Sequence, residues 1–146
     1  MIRKITESDR ALYTELAKEF YATDAVLSPI PEKNIADTFD EMMRSDCYAA
    51  AYIFEEDGET AGYGQLAFTW SQEAGGKTVW LEEIYLRPAF RGKGIGSGFI
   101  EFVKSSIPAA RYRLETEPDN LRAQALYERR GFGRLEYISY ITENGK

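Results

Sequence analysis

Glycines 92, 94, 96 and 98 alternate through Arg91-Gly92-Lys93-Gly94-Ile95-Gly96-Ser97-Gly98. The run stands between two different periodicities. Before it, Val79-Trp80-Leu81-Glu82-Glu83-Ile84-Tyr85-Leu86 reads as a strand stopped by Pro88. After it, Ile95, Phe99, Phe102 and Val103 repeat at i, i+4, i+7 and i+8, the spacing of one helix face. Glycines at alternate positions let backbone N–H groups converge without Cβ interference, and a helix start adds its positive dipole. A strand-to-helix turn of this kind fits a pyrophosphate. Two familiar nucleotide patterns fail. In G-x-G-x-x-G, counting from Gly92 puts Ser97 in the last glycine position, and counting from Gly94 puts Phe99 there. Gly76-Lys77-Thr78 mimics the end of a P-loop, but Ser71 occupies its first glycine position and a strand follows, so it reads as a hairpin turn.

The rest of the chain supplies an α/β (α+β) frame. A strand is expected at 2–5, and Thr6-Glu7-Ser8-Asp9 then reads as a helix start leading to Leu12, Leu16 and Phe20. Ser28-Pro29-Ile30-Pro31 breaks the chain, and Ile35, Phe39, Met42 and Met43 mark a second amphipathic helix. Strands at 48–55 and 61–70 flank a turn at Gly58, with Gly62 and Gly64 suggesting a bulge. A strand at 112–116 follows the third helix. Asp119 or Asn120 caps a fourth helix through Ala123, Leu126 and Tyr127, which stops at Gly131; 135–141 reads as the last strand. The order is β-α-α-β-β-β-α-β-α-β, with a strand-helix-strand crossover in its second half. With 146 residues, no repeat and no linker, residues 1–146 are expected to form a single domain.

Composition narrows the chemistry. Histidine is absent, which removes Ser-His-Asp and Cys-His catalysis, and no metal site is expected. The single cysteine, Cys47, excludes an internal disulfide and fits a reducing, cytoplasmic setting. No apolar run approaches the roughly 20 residues of a membrane helix, and no signal peptide is expected, so neither a membrane nor export is foreseen. The net charge of −6 divides unevenly: residues 1–76 carry 6 basic and 15 acidic side chains, residues 77–146 carry 12 and 9. An acidic chain is a poor nucleic-acid ligand, whereas a basic half suits an anionic cofactor.

Arg91-Gly92-Lys93-Gly94-Ile95-Gly96 resembles the R/Q-x-x-G-x-G/A acetyl-CoA motif of the GNAT superfamily of N-acetyltransferases. Asn120 to Phe132 is similar to its second signature, N-x-x-A-x-x-L-Y-x-x-x-G-F. Both match at every fixed position, and the resemblance covers about residues 79–132. It implies a mixed, twisted sheet of about six to seven strands flanked by four helices and splayed between its fourth and fifth strands. It further implies acetyl-CoA as co-substrate. The turn Arg91, Gly92, Lys93, Gly94, Ile95, Gly96 and Ser97 would hold the pyrophosphate, the backbone of Ile84, Tyr85 and Leu86 the pantetheine amides, and Asn120, Ala123 and Tyr127 would make further contacts. Homodimers are frequent in the family.

Acetyl transfer to a primary amine needs a neutral nucleophile, a stabilised oxyanion and a protonated leaving thiol. Without histidine, carboxylates are the candidate bases. Strict alternation would put Glu82 and Glu83 on opposite faces of their strand, so that only one meets the cleft. By resemblance to polyamine-type members Glu82 is preferred, with Glu115 the runner-up, and Tyr127 is the candidate acid. The expected reaction is direct transfer in a ternary complex. Asp37, Asp40, Glu41 and Asp46, with Glu82 and Glu83, point to a small cationic amine as acceptor. The alternatives are a CoA-binding regulatory module without turnover and an enzyme acetylating a protein N-terminus or lysine.

Overall fold

The computed structural model describes residues 1–24 and 26–145. Strand β1 is Ile2–Lys4, and a single helical turn at Glu7–Asp9 leads into α1, Arg10–Tyr21. A capping box closes that start: the Thr6 backbone N–H donates to Asp9 Oδ2 at 2.8 Å, while the Asp9 N–H donates back to Thr6 O at 2.9 Å. Arg3 then grips Asp9 with both terminal nitrogens, at 2.8 and 3.0 Å, fixing α1 to the edge strand. Helix α2 spans Glu32–Arg44, and β2, β3 and β4 span Ala49–Glu56, Glu59–Ser71 and Gly76–Leu86. Helix α3, Ile95–Ser106, strand β5, Arg111–Arg113, and helix α4, Leu121–Arg129, complete the described elements.

The strands lie in sequence order, β1-β2-β3-β4-β5, antiparallel as far as β4 and parallel between β4 and β5. Helices α1 and α2 cover one face, where Tyr13, Leu16, Phe20, Ile35, Phe39 and Met42 meet Ala51, Ile53, Tyr63 and Tyr85. Helix α3 covers the other, setting Phe99, Ile100 and Val103 against Phe54, Leu66, Val79 and Leu81. A large ring at 99 is possible only because 64 is glycine. A Cβ there would lie 2.3 Å from Cε2 of Phe99. The two register breaks that the glycines of β3 foreshadowed fall beside them, at Phe54/Glu55 on β2 and at Gln65/Leu66 on β3, where Glu82 of β4 is left without a partner.

Two sequence expectations need correction. The sheet has five strands among the described residues, not six to seven, and the expected strand at 112–116 is shortened to β5. The segment 135–141 forms no ladder at all. It is rich in the aromatic and β-branched residues that strands favour, Tyr137, Ile138, Tyr140 and Ile141, but such a run becomes a strand only where an edge lies within hydrogen-bonding reach. Here Tyr137 donates to Glu73 at 3.0 Å, and no backbone hydrogen bond joins the segment to β5 among the described residues.

Gly64→Ala is expected to cost about 1–3 kcal/mol by overpacking against Phe99. Gly98→Ala, on α3 where a Cβ meets nothing within 4 Å, is expected to gain about 0.5–1 kcal/mol. Urea unfolding of the two variants checks the contrast. The Arg3 guanidinium holds the Asp9 carboxyl down at about 2. A depressed carboxyl adds stability above its unfolded value near 4, stability that is lost as pH falls toward 2, here about 2 kcal/mol. Acid unfolding of Asp9→Asn should therefore be flatter between pH 4 and 2 than that of the parent.

Candidate functional site

The glycine turn folds as its residues require. Gly92 and Gly94 take φ of 76° and 81°, left-handed values that a side chain resists, and Gly94 becomes the N-cap of α3. The N–H groups of Gly92 through Ser97 find no protein acceptor among the described residues. A Cβ added at Gly92 or Gly94 would meet nothing within 4 Å, and one at Gly96 only Leu86 Cδ1 at 3.9 Å, so the space before these donors is open. Unmatched donors at a helix start form an anion site. Arg91 turns back and donates from Nε to the carbonyl of Leu86 at 2.9 Å, tying the turn to the end of β4. Lys93 extends over the Phe90 ring.

Strand β4 is the second component. Its pairing with β5 covers only Thr78↔Arg111, Val79↔Tyr112 and Trp80↔Arg113, whereas its pairing with β3 continues to Leu86. Beyond Trp80 the edge facing β5 has no ladder, and alternate residues of an antiparallel strand aim their N–H and C=O groups that way. Ile84, Tyr85 and Leu86 line a cavity of about 570 Å³, together with Arg91 and with Phe20 and Asp24 at the end of α1.

The bulge at Glu82 changes the expected placement of the acids. Alternation breaks there, so Val79 and Leu81 face α3 whereas Glu83 and Tyr85 face α1. Glu83 accepts hydrogen bonds from Tyr21 on one carboxylate oxygen and from Tyr63 on the other. Burial raises the Tyr21 phenol, and the charge of Glu83, and more weakly that of Glu82, raises it further. Glu82 is exposed and does not line that cavity, and its carboxyl is raised above the usual range, first by desolvation from the surrounding chain and then by the charges of Glu83 and Glu115.

Glu115 and Tyr127 come together on a second cavity, of about 430 Å³, between the chain at 111–116 and α4. The Tyr127 phenol is half-buried, and burial, then the Glu117 charge, raises it, so that it stays protonated at neutral pH. No group among the described residues hydrogen-bonds its hydroxyl; the ring meets Phe132 edge-on at 6.2 Å. Asn120 caps α4 by accepting from the Ala123 N–H at 3.1 Å, so these two satisfy each other, and they line neither cavity.

The acids on α2 and just after it each have a cationic partner. Asp37 pairs with Lys33, Asp40 with Arg10, Glu41 with Arg44 and Asp46 with Lys4, all at the exposed surface. Sequence reasoning passed over the residues that do fix this side of the cleft. Glu19, near the end of α1, receives Arg87 at 3.0 and 2.8 Å and the Tyr85 hydroxyl at 3.1 Å. Tyr21 and Tyr63 hold Glu83. The parity shared by Glu83 and Tyr85 is the one local signal for this cluster, since its partners Tyr63, Tyr21 and Glu19 are 20, 62 and 66 residues away.

The family model for the acetyltransferase (GNAT) family matches residues 10–132, which include the glycine turn, β4 and α4. The chain is 34% identical over 144 residues to a thialysine N-epsilon-acetyltransferase of Bos taurus, covering 90% of this chain and 82% of that one. It is 34% identical over 121 residues to a streptothricin acetyltransferase of Escherichia coli, covering 80% of this chain and 64% of the relative. The fold is that of the aminoglycoside N-acetyltransferase AAC(6')-Iy, solved with the bisubstrate analogue CoA-S-monomethyl-acetylneamine: TM-score 0.80 at 19% identity, covering 99% of this chain and 97% of that one. By these sequence matches, this chain belongs to the GNAT family of acetyltransferases and is an acyltransferase.

Proposed function

We propose that residues 1–146 act as one domain that transfers an acetyl group from acetyl-CoA to the primary amine of a small cationic acceptor, with both substrates bound together. The observation that carries this reading is the conjunction of N–H donors without acceptors at 92–97 and a strand edge without a neighbour at 84–86. Those donors suit the CoA pyrophosphate, and Arg91 and Lys93 oppose its charge. The β4 edge offers the pantetheine amides what an added strand would find there. A β4 N–H on this edge polarises the acetyl carbonyl and holds the oxyanion as the C–N bond forms.

Glu82 is the base. An amine of pKa ~10 arrives mostly as ammonium, and a carboxylate raised toward neutrality accepts its proton better than an ordinary one. Glu115 sustains that rise, and Glu83, with both oxygens engaged by phenols, positions the strand instead of moving the proton. As the C–S bond breaks, Tyr127 donates its proton to the departing thiolate, whose pKa is near 8.5. A cationic acceptor is supported by Asp24 on the cavity that Ile84, Tyr85 and Leu86 line, and by relatives whose names specify thialysine and streptothricin. The exposed thiol of Cys47 suits a reducing cytoplasm.

Thiol release from acetyl-CoA with a panel of diamines, aminoglycosides, basic peptides and neutral amines tests the function. Small cationic amines are expected to have the highest kcat/KM, decreasing with salt. CoA binding without acetylation of any amine would make the chain a binding module. Glu82→Gln is expected to lower kcat by roughly 10²-fold or more and to remove the loss of rate on acidification, because the base must be ionised to act. Tyr127→Phe should lower kcat on a similar scale with CoA affinity unchanged. Gly96→Val, whose Cβ the fold tolerates, should weaken CoA at least tenfold, ~1.4 kcal/mol, by calorimetry. Unchanged affinity in that folded variant would remove the glycine turn from the site.

A further inference from the structure

The cavity of about 570 Å³ has two walls, and both begin at one ion pair. One wall is Phe20, Ala22 and Asp24, which follow Glu19 along the chain; the other is Ile84, Tyr85 and Leu86, which lead into Arg87. Arg87 donates to Glu19 from Nε at 3.0 Å and from Nη2 at 2.8 Å, one bond to each carboxylate oxygen, and the Tyr85 hydroxyl adds a third at 3.1 Å. A forked contact of this kind fixes orientation as well as distance. Each wall is held back to that contact. The Ala22 N–H closes onto the carbonyls of Lys18 and Glu19 at 3.2 and 3.3 Å, and the N–H and hydroxyl of Thr23 onto that of Phe20 at 3.0 and 2.7 Å. Asp24 therefore follows a closed helix end. On the other side the Arg87 N–H donates to the Ala61 carbonyl at 2.8 Å, which carries the hold of β3 one residue past the end of β4.

Taking this cavity as part of the acceptor cleft, as the proposed function does, we propose that Glu19 is a positioning residue for the acceptor. It sets the place of Asp24 relative to the end of β4, and so selects acceptors by the spacing between the reacting amine and a second cationic group. An acceptor that reacts at β4 while a second ammonium meets Asp24 must span a fixed gap, because both walls are anchored at Glu19. Asp24 is suited to that second charge. No lysine or arginine among the described residues forms an ion pair with it, whereas the four acids of α2 are all engaged. Glu15 does not substitute for Glu19: it lies one turn earlier on α1 and takes a single bond from Arg87, at 3.0 Å. Loss of Glu19 leaves the helix docked, since Tyr21 still holds Glu83. What is lost is the second point of attachment, which keeps the end of α1 from turning about the first.

The test titrates α,ω-diaminoalkanes, from propane to octane, into the CoA-saturated full chain by calorimetry, and assays the same diamines and their monoamine counterparts for acetyl transfer. The parent is expected to show a sharp optimum of chain length in both affinity and kcat/KM. Glu19→Ala is expected to flatten that optimum and to weaken the best diamine roughly fivefold, while monoamines, which offer Asp24 nothing, change by less than about twofold. Asp24→Asn should give the same loss, and the double variant no more than either alone, because the two residues act through one contact. Exchanging the charges, Glu19→Arg with Arg87→Glu, should restore the optimum. A loss shared equally by monoamines would mark Glu19 as merely structural and overturn the proposal. So would additive losses in the double variant, a profile unchanged by Glu19→Ala, or a parent that binds all lengths alike or none. Binding with the expected optimum but no acetylation of any amine would support the role of Glu19 and overturn the reading of the reaction instead.

Discussion

Strands β4 and β5 pair for three residues and then part, and the functional half of the molecule depends on that parting. The last pair is pinned by the Arg113 guanidinium stacked over the Trp80 ring, 4.2 Å from its centroid. Two residues later the bulge at Glu82 adds twist to β4, which stays paired to β3 on its other side through Leu86. Phe99 can press into the sheet from the α3 side because Gly64 leaves room. A strand held on one side, twisted by a bulge and released on the other presents free backbone groups in the interior of a sheet. Such groups are costly without partners. A co-substrate that supplies them is bound by the same deficit that makes the bare edge unfavourable.

The electrostatics follow a similar division. Four acids of the first half that look like a steering surface in sequence are neutralised by nearby lysines and arginines, and exposed pairs of this kind contribute little to stability or to long-range field. The acids that matter lie where cations are scarce. Around the parting of the strands, desolvation and then the charges of Glu83 and Glu115 lift the Glu82 carboxyl. Glu19 has the opposite fate. Arg87 and the Tyr85 hydroxyl hold its carboxyl below the usual range, and this ionised contact fastens the end of α1 to the end of β4. With Glu83 gripped by Tyr21 and Tyr63, α1 is tied at two points to β4 and the residue that follows it.

Local signals made much of this legible. The glycine alternation fixed the turn before α3 because only glycine takes the left-handed φ of positions 92 and 94 cheaply. The 3.6-residue repeats located α1, α2 and α3, since an apolar stripe needs a core. The two signatures, at Arg91–Gly96 and Asn120–Phe132, carried the family. What was not legible depends on residues far apart in the chain. Alternation along β4 breaks at Glu82, at a bulge set by how β3 and β4 register. The acids of α2 were read by their sign, while their partners Arg10 and Lys4 arrive only by folding.

The segment 135–141 shows the boundary most plainly. Its aromatic and β-branched residues make it suited to a strand, since composition is a property of the chain itself. Whether it becomes one depends on the presence of an edge within hydrogen-bonding distance, and in this fold the nearest edge, β5, lies across an open slot. The sequence by itself determined the elements, the phosphate-sized turn and the kind of enzyme, because each is written in residues that are neighbours along the chain. Only the tertiary structure decided which carboxylate stays crowded and which is paired, where the sheet opens, and what its last edge leaves bare. Those outcomes are set by distances between residues that the chain brings together from far apart.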